Sequence, residues 1–240
     1  MALSKNLSRL SGYRPAASDP DDPALVLAMP LVLRIEKTQV PDRQSLLTAA
    51  ARATVLACLD PRADTGGEWA SAFDVWCDGR IRKIARRARG AAWQTAQEVP
   101  GVTVDVGGAQ ARAFVPAPVG AVDRRIAKLQ IEGTDVPGDL ERQPPEGGMC
   151  LWVAPDLPMT VGKLAAQVSH ASMLGAGLLT VQEVAGWYDA GCPLVIRQAD
   201  PARWHDLLAA EAAGTAVAVR DAGYTEVAPG SCTVIAAVCR

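Results

Sequence analysis

Three polar side chains in the last third of the chain have the spacing of a single helix face. Lys163, Gln167 and His170 occupy positions i, i+4 and i+7, which at about 100° per residue share one stripe of a helix. Thr160 is a good N-cap residue, so Lys163 would lie in the first helical turn. There the ammonium group and the partly positive helix end both favour an anion, and a phosphate is a natural ligand.

A second polar segment, Asp221–Ser231, has the composition of a shaped loop between two strands. Gly223 permits a tight turn at positive φ, and Pro229-Gly230 would turn the chain back as a last strand. This path brings Thr225 near Asp221, and a carboxylate beside a hydroxyl can orient a water molecule or share a proton. Together with the helix-borne lysine, the segment predicts a hydrolytic site for a charged substrate.

Simpler interpretations exist for each of these residues taken alone. Lys163 could be a solvated surface lysine, and Asp221 could form an Asx-turn that only shapes its own loop. A single histidine on a helix is more often a packing or supporting residue than a base, which applies to His170. His205, next to Trp204 and an aspartate, is interpreted as a surface residue.

The last ninety residues alternate between strand and helix patterns. Met149 begins a strand that ends at Ala154, and Thr160 caps a helix that extends to about Leu179. The remaining predicted elements are a helix at 181–189, a strand at 193–196, a helix at 201–213, a strand at 215–219 and a final strand at 234–238. This alternation predicts an α/β layer, a small mixed, mostly parallel sheet flanked by helices. Ligand-binding groups commonly follow the ends of strands in such sheets.

Composition divides the 240-residue chain into a flexible tail (1–23), a first half (24–130), a Pro/Gly-rich linker (131–148) and a second half (149–240). The net charge of −2 excludes a whole-protein attraction to nucleic acid, so any RNA contact requires a local basic patch. The six cysteines form no CxxC pattern, and we expect no metal and no cofactor. We find neither a signal peptide pattern nor an apolar run of membrane-spanning length, and we expect a reduced cytoplasmic protein with no membrane contact.

The first half resembles a worn copy of the second. Segments 118 positions apart match in order: Leu33 with Leu151, Arg52-Ala53 with His170-Ala171, and Trp69 with Trp187. Two further echoes pair 102–107 with 217–223, and 115–118 with 227–230. The common order favours an internal duplication, so that the α/β fold is present twice. Two unrelated alanine-rich α/β halves are the alternative.

The two halves differ at the positions where chemistry is expected. At the same offset, Lys163 corresponds to Ser45 and Gln167 corresponds to Ala49. We therefore expect the first half to keep the fold and to have lost the site.

The segments Gly162–Ala171 and Asp221–Ser231 together resemble the signature of the type 2 peptidyl-tRNA hydrolase family. That family carries a Gly-Lys-x-Ala-Ala-Gln-x-x-His-Ala helix and an Asp-Ala-Gly-x-Thr-x-x-x-Pro-Gly-Ser loop, and the resemblance covers about 149–239. It implies hydrolysis of the ester that joins a peptide to the 3′ ribose of tRNA, with no metal. By resemblance, the catalytic positions are Lys163, Gln167, Asp221 and Thr225, and the substrate-binding positions in the two motifs are His170, Gly223, Pro229, Gly230 and Ser231.

The resemblance also implies an expectation about assembly. Family members are typically single domains that pair as homodimers, whereas this chain adds a degenerate first copy. The first copy could supply the dimer partner within one polypeptide, which predicts a monomer with an internal pseudo-dimer. A homodimer is the alternative.

A basic segment at 80–89 is the predicted tRNA-binding surface. It contains six cations and no acid: Arg80, Arg82, Lys83, Arg86, Arg87 and Arg89. If the segment is helical, Arg82, Arg86 and Arg89 share one stripe and could contact several phosphates. An ordinary solvated helix face is the alternative.

Three functions remain open from the sequence. The first is hydrolysis of peptidyl-tRNA, with Lys163 stabilising charge on the ester carbonyl oxygen, Asp221 and Thr225 positioning water, and Gln167 fixing the substrate. The second is deacylation of another acyl-tRNA. The third is a non-catalytic module that binds RNA or a protein partner.

Overall fold

A computed structural model describes residues 4–11, 13, 18–131, 133, 135–223 and 226–239. The helices of the first half are α1 (Ser4–Ser11), α2 (Arg43–Leu59), α3 (Ala70–Cys77), α4 (Gly90–Gln97) and α5 (Arg124–Ala127). Its strands are β1 (Leu27–Arg34), β2 (Arg82–Ala88), β3 (Gly101–Val106), β4 (Ala109–Phe114) and β5 (Ala117–Pro118). The second half contains β6 (Gly148–Val153), α6 (Val161–Gly175), α7 (Val181–Asp189), β7 (Leu194–Gln198), α8 (Pro201–Ala212), β8 (Ala216–Arg220) and β9 (Cys232–Cys239).

Each half forms one mixed sheet, and the two sheets have the same topology. The strand order is β2-β1-β4-β3 in the first sheet, with β5 beside β1, and β7-β6-β9-β8 in the second. In each, only the first pair is parallel. The predicted α/β class is confirmed, but a mostly parallel ladder is wrong, because β8 returns directly as β9 without a crossover helix. Three strands of the second sheet nevertheless run in one direction, with β9 reversed between them.

The central layer consists of α2 and α6, which pack against each other between the two sheets. Both helices are buried on nearly all sides, since each contacts its own sheet, the other helix and one strand of the other half. Small side chains permit this close approach. The hydroxyls of Ser169 and Ser172 donate to the carbonyl oxygens of Ala50 (3.2 Å) and Ala51 (2.8 Å) across the helix pair. The two halves therefore share one continuous core.

Two smaller clusters cover the outer faces of the sheets. On the first sheet, Trp93 of α4 and Ile126 of α5 pack with Phe114. On the second sheet, Leu207 of α8 packs with Trp152 and Ile235. The architecture is thus layered, with the α2/α6 pair at its centre.

The expected flexible tail is wrong for the part of 1–23 that forms α1. Leu7 and Leu10 are buried in the shared core, and Asn6 is fully buried with its amide donating to the carbonyl oxygen of Asp60. Lys5 and Arg9 both pair with Asp74 of α3 at 2.7 Å. The short apolar stripe of α1 is sufficient to pack this helix against the core, although the segment as a whole has the polar composition of a flexible tail.

In the connecting segment at 131–148, the described residues before Gly148, where β6 begins, form no helix or strand. It is held against the protein, because Val136 and Leu140 are buried. Arg43 of α2 pairs with Asp135 at 2.9 Å. Glu141 forms an ion pair with Arg197 of β7 at 2.9 Å. The segment therefore lies as a strap across both halves.

Local details show which positions of the two halves are equivalent in the fold. The indole Nε1 of Trp76 donates to Arg82 O at 3.1 Å, and that of Trp187 donates to Pro193 O at 2.7 Å. Trp76, rather than the predicted Trp69, thus makes in the first half the kind of contact that Trp187 makes in the second. The echo between 115–118 and 227–230 is also wrong, because the first follows β4 whereas the second precedes β9.

Candidate active site at the end of the second sheet

Strand direction explains why the two polar segments meet. Because β6 and β8 both run antiparallel to β9, their carboxyl ends lie at the same edge of the sheet. Helix α6 follows β6 and therefore begins at this edge. Asp221 is the first residue after β8, and Lys163 lies in the first turn of α6. The predicted meeting of a helix-borne lysine and a loop-borne aspartate is observed.

The carboxylate of Asp221 accepts from three donors. Lys163 Nζ lies 2.6 Å and Gln167 Nε2 lies 2.8 Å from Oδ2. The backbone N–H of Gly223 donates to Oδ1 at 2.8 Å. The side chains of Lys163 and Asp221 are only 11% and 9% exposed. Solvent and salt therefore weaken the attraction between their charges only a little. A carboxylate has about four acceptor positions, and donors among the described residues occupy three of them.

Thr233 in the middle of the sheet is a site residue that sequence reasoning missed. Its hydroxyl lies 2.6 Å from Gln167 Oε1 and 3.2 Å from the carbonyl oxygen of Val219, and it is fully buried. By engaging Oε1, it directs the amide nitrogen of Gln167 toward Asp221. A threonine within an otherwise apolar last strand was the available signal.

The loop after β8 uses its glycines as expected. Gly223 has φ +78°, and a Cβ atom there would lie 2.3 Å from the Pro229 ring. Gly230 has φ +80°, and its N–H donates to Asp221 O at 2.7 Å, while Ser231 O accepts from Asp221 N at 2.9 Å. Pro229, Gly230 and Ser231 therefore close the base of the loop. Thr225 lies outside the described residues, so its predicted place beside Asp221 stays a prediction.

The start of α6 differs from the predicted phosphate site. Thr160 is the N-cap as predicted and accepts from Lys163 N at 3.3 Å. Asp135 accepts from Val161 N at 3.1 Å. Glu226 accepts from both Thr160 N and Thr160 Oγ1 at 2.7 Å. Two carboxylates and a hydroxyl already occupy this helix end, which disfavours a phosphate there.

His170 lies on the same helix face but contacts the first half. Its Nδ1 lies 3.1 Å from Lys83 Nζ on β2. Burial and the neighbouring charges of Lys83, Lys163 and Arg82 lower the pKa of His170 well below its usual value. The imidazole is therefore neutral near pH 7.

Lys83 itself occupies an apolar environment. Its ammonium group contacts Ile81 O at 3.3 Å and Met173 Sδ at 3.1 Å, and it lies 4.8 Å from the centre of the Trp76 ring. Burial lowers the pKa of Lys83 to about 7.

A cleft of about 1340 Å³ joins these groups. One wall belongs to the second half and contains Lys163, Gln167, His170 and Asp221. The facing wall belongs to the first half. Its polar residues are Asp19, Arg80, Arg82 and Lys83, and its apolar rim contains Val26, Val119 and Ile131.

The prediction of a helical basic stripe at 80–89 is wrong, because Arg82–Ala88 forms β2. Alternation along a strand sends neighbouring side chains to opposite faces. Lys83 points toward α6, whereas Arg86 is 6% exposed and donates to the carbonyl oxygens of Ala127 and Leu129 at 3.0 Å. Arg86 is thus a structural residue, and the cations do not form one surface.

The other cations of the segment are also divided. Arg82 pairs with Asp19, and Arg80 lies 4.0 Å from the same carboxylate, both at the cleft. Arg87 donates to Gln130 Oε1 at 2.6 Å. Arg89 is exposed at the start of α4. Neither Arg87 nor Arg89 lines the cleft.

Three broader observations concern metal ligands, membrane spans and cysteines. Within the described part of the chain, no three His, Cys, Asp or Glu side chains are grouped so that they could hold a metal ion. No helix among the described residues has both the length and the apolar character needed to cross a membrane. All six cysteines are free thiols.

Comparison with known proteins finds a family match in the second half. Residues 148–238 match the family described as peptidyl-tRNA hydrolase PTH2. The peptidyl-tRNA hydrolase of Haloquadratum walsbyi is 37% identical over 84 residues, which cover 34% of this chain and 75% of that protein. That of Thermococcus sibiricus is 34% identical over 90 residues, covering 35% and 76% of the two chains.

A third relative is longer than the matched region. The probable peptidyl-tRNA hydrolase 2 of Schizosaccharomyces pombe is 37% identical over 93 residues, which cover 36% of this chain and 45% of that protein. The chain thus spans less than half of the yeast relative. The second half is an α/β domain with a Lys–Gln–Asp network at its sheet edge, and the chain belongs to the peptidyl-tRNA hydrolase PTH2 family.

Proposed function

We propose that the second half hydrolyses the ester bond of peptidyl-tRNA and releases tRNA and peptide. The observation that carries this function is the network of Lys163, Gln167 and Asp221 at the cleft, within a domain of the PTH2 family. The relatives from Haloquadratum walsbyi and Thermococcus sibiricus bear the name of this activity. The chain's substrate partner is accordingly tRNA.

The geometry supports a simple division of roles in ester hydrolysis. Water adds to the ester carbonyl carbon, the bond to the ribose oxygen breaks, and that oxygen receives a proton. The peptide leaves as a carboxylate, and the second proton passes to solvent. Asp221 offers its remaining acceptor position to the attacking water, and the ammonium group of Lys163 stabilises the developing oxyanion. Gln167, whose amide is oriented by Thr233, holds the carboxylate of Asp221 in position beside Lys163.

The role proposed for Thr225 comes from the sequence: its hydroxyl helps Asp221 to position the attacking water. His170 lines the same wall and offers a neutral imidazole to the substrate. Gly223 and the turn at 229–231 contribute by shaping the loop rather than by contacting the reacting atoms.

The first half is proposed to be a degenerate duplicate that provides the facing wall of the cleft. The shared strand order, the paired tryptophan contacts and the α2/α6 packing support this origin. The first half lacks an equivalent site, because α2 has Ser45 and Ala49 at the positions where α6 has Lys163 and Gln167. A tight Gly107-Gly108 turn joins β3 to β4 in place of the long loop after β8. The protein then works as a monomer with an internal pseudo-dimer, in the reducing cytoplasm that its free thiols fit.

Deacylation of another acyl-tRNA is the competing activity. Both reactions cleave an ester to the tRNA ribose, so they require the same network. The choice between them depends on how the cleft accommodates the acyl group.

The activity is tested by single-turnover release of tRNA from a tRNA that carries an N-blocked aminoacyl group. The same tRNA with a free amino group is the matched substrate. We expect rapid hydrolysis of the blocked ester and at least about tenfold slower hydrolysis of the free one. Preference for the free aminoacyl ester would replace the proposal with the deacylase, and no hydrolysis of either would overturn it.

A further inference from the structure

The Lys83–His170 contact joins the two halves inside the cleft. Lys83 Nζ lies 3.1 Å from His170 Nδ1. An ammonium group can only donate, so Nδ1 must accept and the neutral ring must carry its proton on Nε2. No described residue accepts a hydrogen bond from Nε2, and His170 lines the cleft beside Lys163 and Gln167.

Among the described residues, no carboxylate contacts Lys83 or His170. The described contacts of Lys83 are a carbonyl oxygen, a thioether sulfur, an aromatic face and the imidazole. The thiols of Cys58 on α2 and Cys77 on α3 face it, but burial raises the pKa of both, so they are neutral near pH 7. Burying a lysine without a carboxylate is unfavourable. Stability alone therefore gives no reason for Lys83.

We propose that Lys83, supplied by the first half, is a positioning residue of the site in the second half. Its ammonium group fixes His170 as the Nε2–H tautomer, and that N–H donates to an oxygen of the acylated 3′ end of the substrate RNA. This inference rests on the proposed function for its substrate. It makes the degenerate half a functional part of the site.

The pair also gives a pH dependence with a definite sign. Below pH 7 the ammonium form dominates, since the pKa of Lys83 is about 7. Above it the neutral amine can donate or accept, so both tautomers of His170 become accessible. Arg82 on β2 and Lys163 on α6 are the other charged groups near His170. We expect kcat/KM to fall as pH rises through about 7.

Nitrogen NMR tests the tautomer directly, because the chain has only two histidines and His205 is exposed. In the wild type at pH 6, the His170 signals should show a proton on Nε2 and a free acceptor at Nδ1. Lys83→Met should shift these signals toward a tautomer mixture and leave those of His205 unchanged. A wild-type His170 that carries its proton on Nδ1, or signals that Lys83→Met does not move, would overturn the proposal.

Kinetics on N-blocked aminoacyl-tRNA test the consequence. Lys83→Met should lower kcat/KM at least about tenfold at pH 6 and remove the decrease near pH 7. Lys83→Arg, which keeps a protonated donor, should retain more activity than Lys83→Met, and the exposed Lys128→Met is the matched control. Wild-type kcat/KM in Lys83→Met would contradict the inference. An inactive wild type would instead remove the proposed function, while the NMR result would still decide the tautomer.

Discussion

Asp221 performs two tasks with its two carboxylate oxygens. Oδ1 accepts from Gly223 N and shapes the loop, as an Asx-turn does, whereas Oδ2 receives Lys163 and Gln167. The carboxylate therefore forms the Asx-turn that the structural interpretation describes, and it also joins the polar network on which the proposed function rests. The buried Thr233 hydroxyl fixes the amide of Gln167, and that amide in turn fixes the carboxylate of Asp221.

Thr233→Val tests that orientation at the scale of one hydroxyl. The substitution keeps the shape but leaves Gln167 Oε1 without its buried partner, which destabilises by about 1–3 kcal/mol. The amide can then rotate away from Asp221, so hydrolysis should also fall. Urea unfolding and single-turnover assays measure the two effects. Thr215→Val, at an exposed helix end, is the matched control, and equal behaviour of the two variants would refute the role of Thr233.

At the scale of elements, the loop after β8 distinguishes this half from the other. A Cβ at position 223 would collide with Pro229, whereas a Cβ at position 230 would meet no atom within 4 Å. Both glycines have positive φ, so Gly230→Ala isolates the cost of that conformation, about 1–2 kcal/mol.

Gly223→Ala should therefore impair the enzyme more than Gly230→Ala. We expect it to displace the Gly223 N–H from Asp221 and to reduce kcat at least about tenfold, while thermal unfolding changes by a few degrees only. The ratio of the two variants' kcat values is the measurement. A Gly223→Ala enzyme as active as Gly230→Ala would show that the loop tolerates this movement.

Much of the second half was predictable from its pattern. The capping residue Thr160, the helix at 181–189, Pro201 at a helix start and the glycine turns all fix local structure by local chemistry, and the observed elements agree within a few residues. The meeting of Lys163 and Asp221 also followed from strand order and motif spacing.

The errors arose where tertiary contacts decide the structure. The segment at 80–89 has a helical charge pattern, yet it forms β2 because Ala85 packs against the shared core while Arg86 is buried under α5. α1 looked like a tail, since only Leu7 and Leu10 reveal its buried face. The pairing of Lys83 with His170 joins residues far apart in sequence and had no local signal.

At the scale of the whole molecule, the cleft predicts where RNA binds. Arg80 lies on the first-half wall opposite Lys163, whereas Arg89 is exposed away from the cleft. Arg80→Ala should weaken tRNA binding and reduce the slope of log affinity against log salt by about 1. Arg89→Ala should change neither quantity. Titrations at several salt concentrations measure both, and the reverse ranking of the two variants would place the RNA elsewhere.

The buried helix pair predicts the assembly state. α2 and α6 cover each other between the sheets, and both are buried within the chain. We expect a monomer across the micromolar range in light scattering or sedimentation. A tight homodimer that buries either central helix against the other copy would contradict the internal pseudo-dimer.

The most direct test of the account measures whether Lys163 and Asp221 act as one hydrolytic unit. Single-turnover release of tRNA from N-blocked aminoacyl-tRNA is compared among wild type, Lys163→Met, Asp221→Asn and the double variant. Each single change should reduce the rate at least about a hundredfold, and the double variant should lose little more, because groups that act together are not additive. Wild-type rates in either single variant would contradict the site described here.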